Sequence, residues 1–295
     1  MTKFSISAGI ALALVAGSAL AADLPSRKGP PPVYVPPAPV FTWNGLYGGV
    51  NIGYGFSGGG NWQGVQTAGT FALPTVLPGS AAWSVPTNMN GVLGGGQIGY
   101  NYQFSPWLVV GVEADIQAAD LNNAQSVVAP LGAPFAVGTF GAATNAMHVD
   151  WFGTVRGRLG LVMPSYPNLM VYGTGGFAYG GVNNLTSYSM ATPFFAPAGA
   201  FVQGASIYGD TKTGWTAGGG VEWSPMSFPA WSVKIEYLYT DLGTVTQNTL
   251  AVSNFNMNGA SFVTSSTPYN WHTVRAGLNW HFNPFAASAP VLAKY

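Results

Sequence analysis

Leu108-Val109-Val110-Gly111-Val112-Glu113-Ala114-Asp115-Ile116-Gln117 decides the fold of this chain. Successive side chains of an extended strand point to opposite faces. Leu108, Val110, Val112, Ala114 and Ile116 therefore share one face, and Glu113, Asp115 and Gln117 the other. The same division of chemistry recurs along the chain. Val149, Trp151, Val155, Leu159 and Leu161 oppose Asp150, Thr154, Arg156 and Arg158. Trp231, Val233, Ile235, Tyr237 and Tyr239 oppose Lys234 and Glu236, and Val92, Ile98, Tyr100, Tyr102 and Phe104 oppose Gln97, Asn101 and Gln103.

This period of two predicts eight strands, over 43–56, 91–104, 107–118, 148–162, 169–181, 212–223, 231–241 and 271–282. Each meets the roughly 9–11 residues that a tilted membrane strand needs. The gaps between them alternate in length. Those after the second, fourth and sixth strands are short and marked by proline. Those after the first, third, fifth and seventh are long, at 57–90, 119–147, 182–211 and 243–270. Short turns at one end and long loops at the other are the mark of an outer-membrane barrel, with the long loops outside the cell.

Composition points the same way. Charged residues make up 6% of the chain, against about 25% in soluble domains. The 48% of hydrophobic residues nowhere form the run of about 18 that a spanning helix requires once the first residues are set aside. A closed barrel is the other structure that satisfies its own backbone in lipid. The predicted fold is therefore all-β: an eight-stranded antiparallel up-and-down transmembrane barrel with short periplasmic turns and four long extracellular loops. Zero net charge argues against nucleic acid as a partner. The absence of cysteine excludes disulfides and thiolate chemistry.

Alternation alone does not say which face points inward. Aromatic residues at the strand ends decide it. Trp107, Trp223, Trp231, Trp280 and Phe282 mark a periplasmic rim, and Tyr54, Phe56, Tyr179, Trp215 and Tyr239 an outer one. Such girdles sit at membrane interfaces, so the apolar face meets lipid and the polar face lines the lumen. The lumen then holds the acids Glu113, Asp115, Asp150, Glu222 and Glu236 and the bases Arg156, Arg158, Lys234 and Arg275. An eight-stranded barrel is just wide enough for side chains to fill, and buried charges must pair. These nine residues are expected to form an ion-paired plug; a narrow solute channel is the alternative.

The first residues read as a secretory signal, with Lys3, an apolar stretch from Ile6 to Val15, and Ala19-Leu20-Ala21 before a cut near Ala21 or Ala22. The expected organisation is a signal peptide over 1–21, a proline-rich periplasmic segment over 22–42, the barrel over 43–282, and a short tail over 283–295.

Trp43-Asn44-Gly45-Leu46-Tyr47-Gly48-Gly49-Val50-Asn51-Ile52-Gly53-Tyr54 resembles the first strand of the small outer-membrane proteins of alphaproteobacteria known as outer membrane immunogenic proteins, or porin-family proteins with an OmpA-like barrel. Ala22-Asp23-Leu24-Pro25, Val233 to Tyr239 and Asp241-Leu242-Gly243 are similar too. The last strand, with Gly277, Leu278, Trp280 and Phe282, resembles the signal read by the barrel-assembly machinery. The resemblance implies a surface, structural or adhesive role; some relatives are described as porins or as heme-binding. The expected partners are outer-membrane lipid and lipopolysaccharide, the assembly machinery, and a host or environmental surface met by the loops.

Catalytic motifs are weak. Gly94 to Gly99 matches a dinucleotide fingerprint, but it lies inside a strand with no helix after it. His148 and His281 are expected on the lumen side near opposite rims and His272 outside, a dispersal that disfavours a metal or heme site, with His148 the best candidate; heme or other small-ligand binding at the extracellular loops is the distant alternative. No acid lies at matching depth beside His272, so neither enzymatic activity nor a cofactor is expected. Aromatic residues in the loops, such as Trp62, Trp83, Phe135, Phe194, Phe195 and Phe255, are candidates for surface contact or for packing over the mouth.

Overall fold

The computed structural model describes residues 41–67, 82–130, 140–191, 201–253 and 260–282, all within one compact unit spanning residues 39–287. Ten strands follow in chain order: β1 (Gly45–Ser57), β2 (Asn61–Thr67), β3 (Ala82–Pro86), β4 (Gly91–Ser105), β5 (Leu108–Pro130), β6 (Phe140–Met163), β7 (Tyr166–Ala191), β8 (Phe201–Trp223), β9 (Trp231–Ser253) and β10 (Ala260–His281). β1, β4, β5, β6, β7, β8, β9 and β10 pair in that order, and β10 returns to pair with β1. The ring is therefore closed, with eight antiparallel strands.

Its register is read by following one row of paired residues around the wall. Tyr47 pairs with Gly99, then Glu113, Arg156, Gly176, Thr216, Thr240, Trp271 and finally Ser57. The row returns to β1 ten residues beyond its start. For eight strands this stagger tilts the strands by about 40° and leaves an interior that side chains fill.

All eight expected strands lie within the ring. Their lengths differ from expectation, because β5 to β10 each run 22 to 26 residues, about twice what the membrane requires. The stretches 119–147, 182–211 and 243–270, expected as loops, are largely strand. β1 and β4 do stop at the outer rim. Above them the hairpin β2–β3 pairs with the upper part of β10 and occupies the flank that β1 holds below. Beyond the outer aromatic rim each long strand continues for a dozen or so residues, which at that tilt rise roughly 30 Å. Trp62 and Trp83, expected at a loop tip, lie on this hairpin with their rings 5.4 Å apart, Trp62 fully buried. Phe135, Phe194, Phe195 and Phe255 lie outside the described residues.

The outer face changes character at the rim. Below it stand Val50, Ile52, Val112, Val155, Ile235 and Val274, all exposed. Above it Thr144, Ser187, Thr246, Asn248, Thr264 and Ser266 join exposed apolar residues such as Leu185, Ile207, Leu250 and Phe262, with side-chain hydrogen bonds between strands such as Thr264 to Asn248 at 2.8 Å. Two bulges adjust the alternation at this height. In β6 the ladder skips Asp150, since Val149 pairs with Val182 and Trp151 with Gly181. In β9, Gly243 takes a left-handed φ of 80° and donates its N–H to Asp241 Oδ1 at 2.7 Å. A glycine in this conformation is the usual residue of such a bulge. Above each bulge the opposite parity of the strand points inward.

The β6 bulge overturns part of the expected facing. Val149 is fully buried inside, whereas Asp150 and His148 point outward, with Asp150 Oδ1 2.6 Å from His148 Nε2. An extra residue shifts the phase of every position beyond it. Strict period two across 148–162 cannot anticipate that.

Candidate functional site

The lumen is filled in layers. At the periplasmic end Phe41, Trp43, Val109, Val162, Met170 and Tyr172 form an apolar cluster. Residues 41–44 precede β1 and tuck beneath the barrel. Trp43 donates its indole N–H to Pro167 O at 2.9 Å and its backbone N–H to Gln103 Oε1 at 3.0 Å. Above the middle of the barrel, a second apolar cluster includes Leu93, Leu121, Val149, Phe152, Leu242 and Trp271. A third, with Trp62, Tyr188, Met190 and Val263, fills the part beyond the rim. Between the second and third lies a band of amides and hydroxyls, where Gln247 accepts from Asn184 at 2.7 Å and from Thr186 at 3.1 Å.

Between the first two apolar layers sit eight charges, none more than 5% exposed. Glu113 is the hub. It lies 2.8 Å from Lys234 Nζ, 2.5 Å from Arg156 and 3.4 Å from Arg158, and it accepts from the Tyr47 hydroxyl at 2.7 Å. Glu236 accepts from Arg156 at 3.0 Å, Arg275 Nε at 2.6 Å and Tyr172 at 3.0 Å. Asp115 meets Arg156 at 3.1 Å and Arg275 at 2.9 Å. Glu222 meets Arg158 at 2.7 Å and accepts from Ser232 and Asn279. The Arg158 guanidinium lies over the Tyr172 ring, 3.9 Å from its centre.

Register sets much of this arrangement. Glu113 faces Arg156 on the adjacent strand, Glu222 faces Lys234, and Glu236 faces Arg275. A slip of one residue in any of these strands would send its charges into lipid. The structure brings together eight of the nine residues singled out in the sequence. Asp150 is the exception, for the bulge places it on the outer surface. Without it four acids meet four bases, and the buried charge sums to zero.

Sequence reasoning placed His281 on the lumen side, where it lies, but missed the tyrosines, the serine and Asn279 of the layer. Tyr47, Tyr172, Asn279, Ser232 and His281 complete the acceptors' hydrogen bonds, with His281 Nε2 3.4 Å from Glu222. The apolar residues that seal it below were legible. Val109 shares the parity of Glu113 and Asp115, and Val162 that of Arg156 and Arg158.

In the last strand Gly277 faces the lumen against Lys234 and Gln97. Leu278, Trp280 and Phe282 point outward, and Trp280 packs edge-on against Trp231 at 4.7 Å. His272, also outward, stacks with Phe56 and Tyr237. His148 pairs with Asp150 near Asp120. Among the described residues, no three histidine or acidic side chains come together to hold a metal ion.

Outside the membrane-spanning layer, burial pushes the Tyr188 hydroxyl up to about 12. It also raises that of Tyr269, which donates to Asn183 O at 2.8 Å.

Comparison with known proteins adds a lineage to this geometry. The family model described as the outer membrane protein beta-barrel domain matches residues 9–282. The 31 kDa outer-membrane immunogenic proteins of Brucella melitensis biotype 1 and Brucella suis biovar 1 are each 36% identical to this chain over 281 residues. The alignment covers 95% of this chain and 100% of theirs. Among solved structures, the attachment invasion locus protein Ail of Yersinia pestis aligns with a TM-score of 0.28 and 13% identity, over 79% of this chain and 98% of that one. OprG of Pseudomonas aeruginosa aligns with a TM-score of 0.27 and 13% identity, over 79% and 96%.

Proposed function

As the chain belongs to the outer membrane β-barrel protein family and resides in the outer membrane, we propose that it is a closed, non-conducting barrel whose tall outer part meets the cell's surroundings. One observation carries this reading: four acids and four bases are paired and buried between apolar layers above and below. An ion entering from either side would have to cross an apolar layer and then break pairs whose partners would be left charged and unsolvated. The pairing is better read as closure than as added stability, because a buried ion pair returns little more than its desolvation costs.

The outer part suits a surface role. It rises roughly 30 Å above the rim on tilted strands. Its wall intersperses hydroxyls and amides with exposed apolar side chains such as Leu185, Ile207 and Leu250, where the wall below is almost wholly apolar. Such a wall contacts the sugars of lipopolysaccharide at its base and a host or environmental surface at its tip. The last strand would serve the assembly machinery during insertion, and the protein works without catalysis.

The test is electrical. Purified full-length protein in planar lipid bilayers is expected to give no stable single-channel steps, and reproducible steps would overturn the closed reading. An epitope inserted between Ala191 and Phe201 is expected to label intact cells. Labelling only after permeabilisation would overturn the surface role.

A further inference from the structure

Some of the buried polar atoms in the lumen have no partner in the protein, and several lie together. Asp115 uses Oδ2 to meet Arg275 Nη2, while its Oδ1 is unpartnered; Arg275 likewise leaves Nη1 unpartnered. One step outward on the same strand faces stand Gln117 and Thr273. Both amide atoms of Gln117 and the hydroxyl of Thr273 are buried without a partner. Asp115 and Arg275 already touch across the lumen. Gln117, two residues beyond Asp115, and Thr273, two before Arg275 in an antiparallel strand, therefore lie one step above that pair, on the same side of the lumen.

The two strands between them send no side chain into that region, and Gln117 and Arg275 pack directly over their glycines. β1 and β4 separate β10 from β5, and at this height they face the lumen with Gly53 and Gly95. A Cβ on Gly95 would lie 2.9 Å from Gln117 Oε1, and one on Gly53 2.7 Å from Arg275 Cβ. No side chain from these two positions can intrude between the unpartnered groups. Leu93, Phe152 and Trp271 of the apolar cluster lie beyond them toward the rim.

Buried donors and acceptors with no protein partner are rare and are ordinarily met by internal water. The free atoms here include donors (Arg275 Nη1, Gln117 Nε2) and acceptors (Asp115 Oδ1, Gln117 Oε1), with the Thr273 hydroxyl able to act as either. The charged layer beneath them sums to zero, so neither a cation nor an anion is favoured. A small neutral molecule that both donates and accepts is what these groups match. We propose that Asp115, Gln117, Thr273 and Arg275 enclose an occluded site for a small cluster of water molecules, held between the ion-paired layer and the apolar layer above it. This places a wet pocket beside the Asp115–Arg275 pair, while the Glu113 hub remains paired through protein atoms. The inference rests on the closed-lumen reading, since an open pore would exchange such water freely.

The test uses the full chain refolded in lipid nanodiscs. Nuclear magnetic resonance is expected to show cross-peaks from water to the Gln117 side-chain amide. Gln117→Met, close in shape, should displace that water, strand Asp115 Oδ1 and Thr273, and lower the midpoint of the heat-induced gel shift. Absence of the cross-peak overturns the site. So does a Gln117→Met midpoint equal to or above wild type, because a dry site would gain from losing two unpaired polar atoms. If Gln117→Met does not fold, Thr273→Val replaces it with the same two outcomes. Failure of the closed reading is recognised separately, by channel steps in bilayers with wild-type protein.

Discussion

The lower and upper halves of this barrel share six strands, but they fill their interiors differently and carry different outer faces. Below the rim the outer face is apolar and the inner face carries eight charges. Above it the outer face mixes Thr, Ser and Asn with exposed Leu185, Ile207, Leu250 and Phe262, while the interior combines an apolar core around Trp62, Tyr188, Met190 and Val263 with uncharged amides and hydroxyls. The backbone pairing of β6 and β7 continues through the change with one skipped residue. What differs is the solvent outside the wall. Lipid demands apolar side chains on the exterior and leaves the interior to charges that satisfy one another, whereas water admits hydroxyls and amides beside apolar groups outside. The two bulges, at Asp150 and Gly243, stand where one solvent gives way to the other.

The largest effect should come from opening the lower half from within. Glu113→Ala leaves Lys234, Arg156 and Arg158 facing an absent carboxylate. Loss of one partner from a buried charged group costs about 3–5 kcal/mol. The expected result is a lower urea midpoint for the folded band on gels, together with leakier bilayers. A similar loss at the outward Asp150 should be within about 0.5 kcal/mol of zero. If the two positions cost the same, the contrast between inside and outside is wrong.

A charge moved onto the outer wall sharpens the comparison. Ile235→Arg faces lipid near mid-height and should cost about 2–4 kcal/mol. Thr246→Arg, also outward on β9 but beyond the rim, should cost little, within about 0.5 kcal/mol. Chemical denaturation of both variants in the same lipid reads the difference. Equal costs would place the membrane boundary elsewhere.

The two halves were not equally legible in the sequence. Below the rim, lipid outside and charge inside force a strict alternation. Strand 108–117 reads directly, and eight members of the charged layer follow from parity once the aromatic rims set which face points inward. Above the rim water lies outside, and the inner positions mix apolar, amide and hydroxyl groups. Leu121, Asn123, Gln125 and Val127 point inward, and Asn122, Ala124, Ser126 and Val128 outward, so period two leaves little trace and the stretch reads as loop. Over 243–270 a hidden signal was β-propensity, since Thr and Val are frequent there. Asp150 was misplaced for another reason: parity carries across a strand only while no residue bulges out. Nothing in Val149-Asp150-Trp151 announces the extra residue except its place beside the aromatic rim.

The bulge in β9 gives a smaller, local prediction. A side chain at Gly243 would meet no neighbouring atom, so Gly243→Ala is resisted by backbone conformation alone, by about 1 kcal/mol. The strain falls where the upper half joins the lower. Hydrogen exchange should speed up over 244–252 while 231–241 keeps its protection. Equal acceleration on both sides would mean that the halves unfold as one unit.

A last effect is one of pH and acts on the upper half alone. The Tyr188 hydroxyl donates to Gln66 Oε1 inside the upper core, and burial holds its proton up to about pH 12. In an unfolded chain it would release that proton near pH 10. A group whose folded pKa is raised stabilises fully below the unfolded value and loses that contribution as pH climbs through the folded one. The upper half should therefore weaken between about pH 10 and pH 12, because a tyrosinate can neither donate to Gln66 nor remain in an apolar core. Fluorescence of Trp62 and Trp83, read in a variant whose other tryptophans are replaced by phenylalanine, should shift in that window. The gel mobility of the folded lower barrel should hold. Tyr188→Phe removes the titrating group, so a shift that survives this substitution would assign the weakening to another residue.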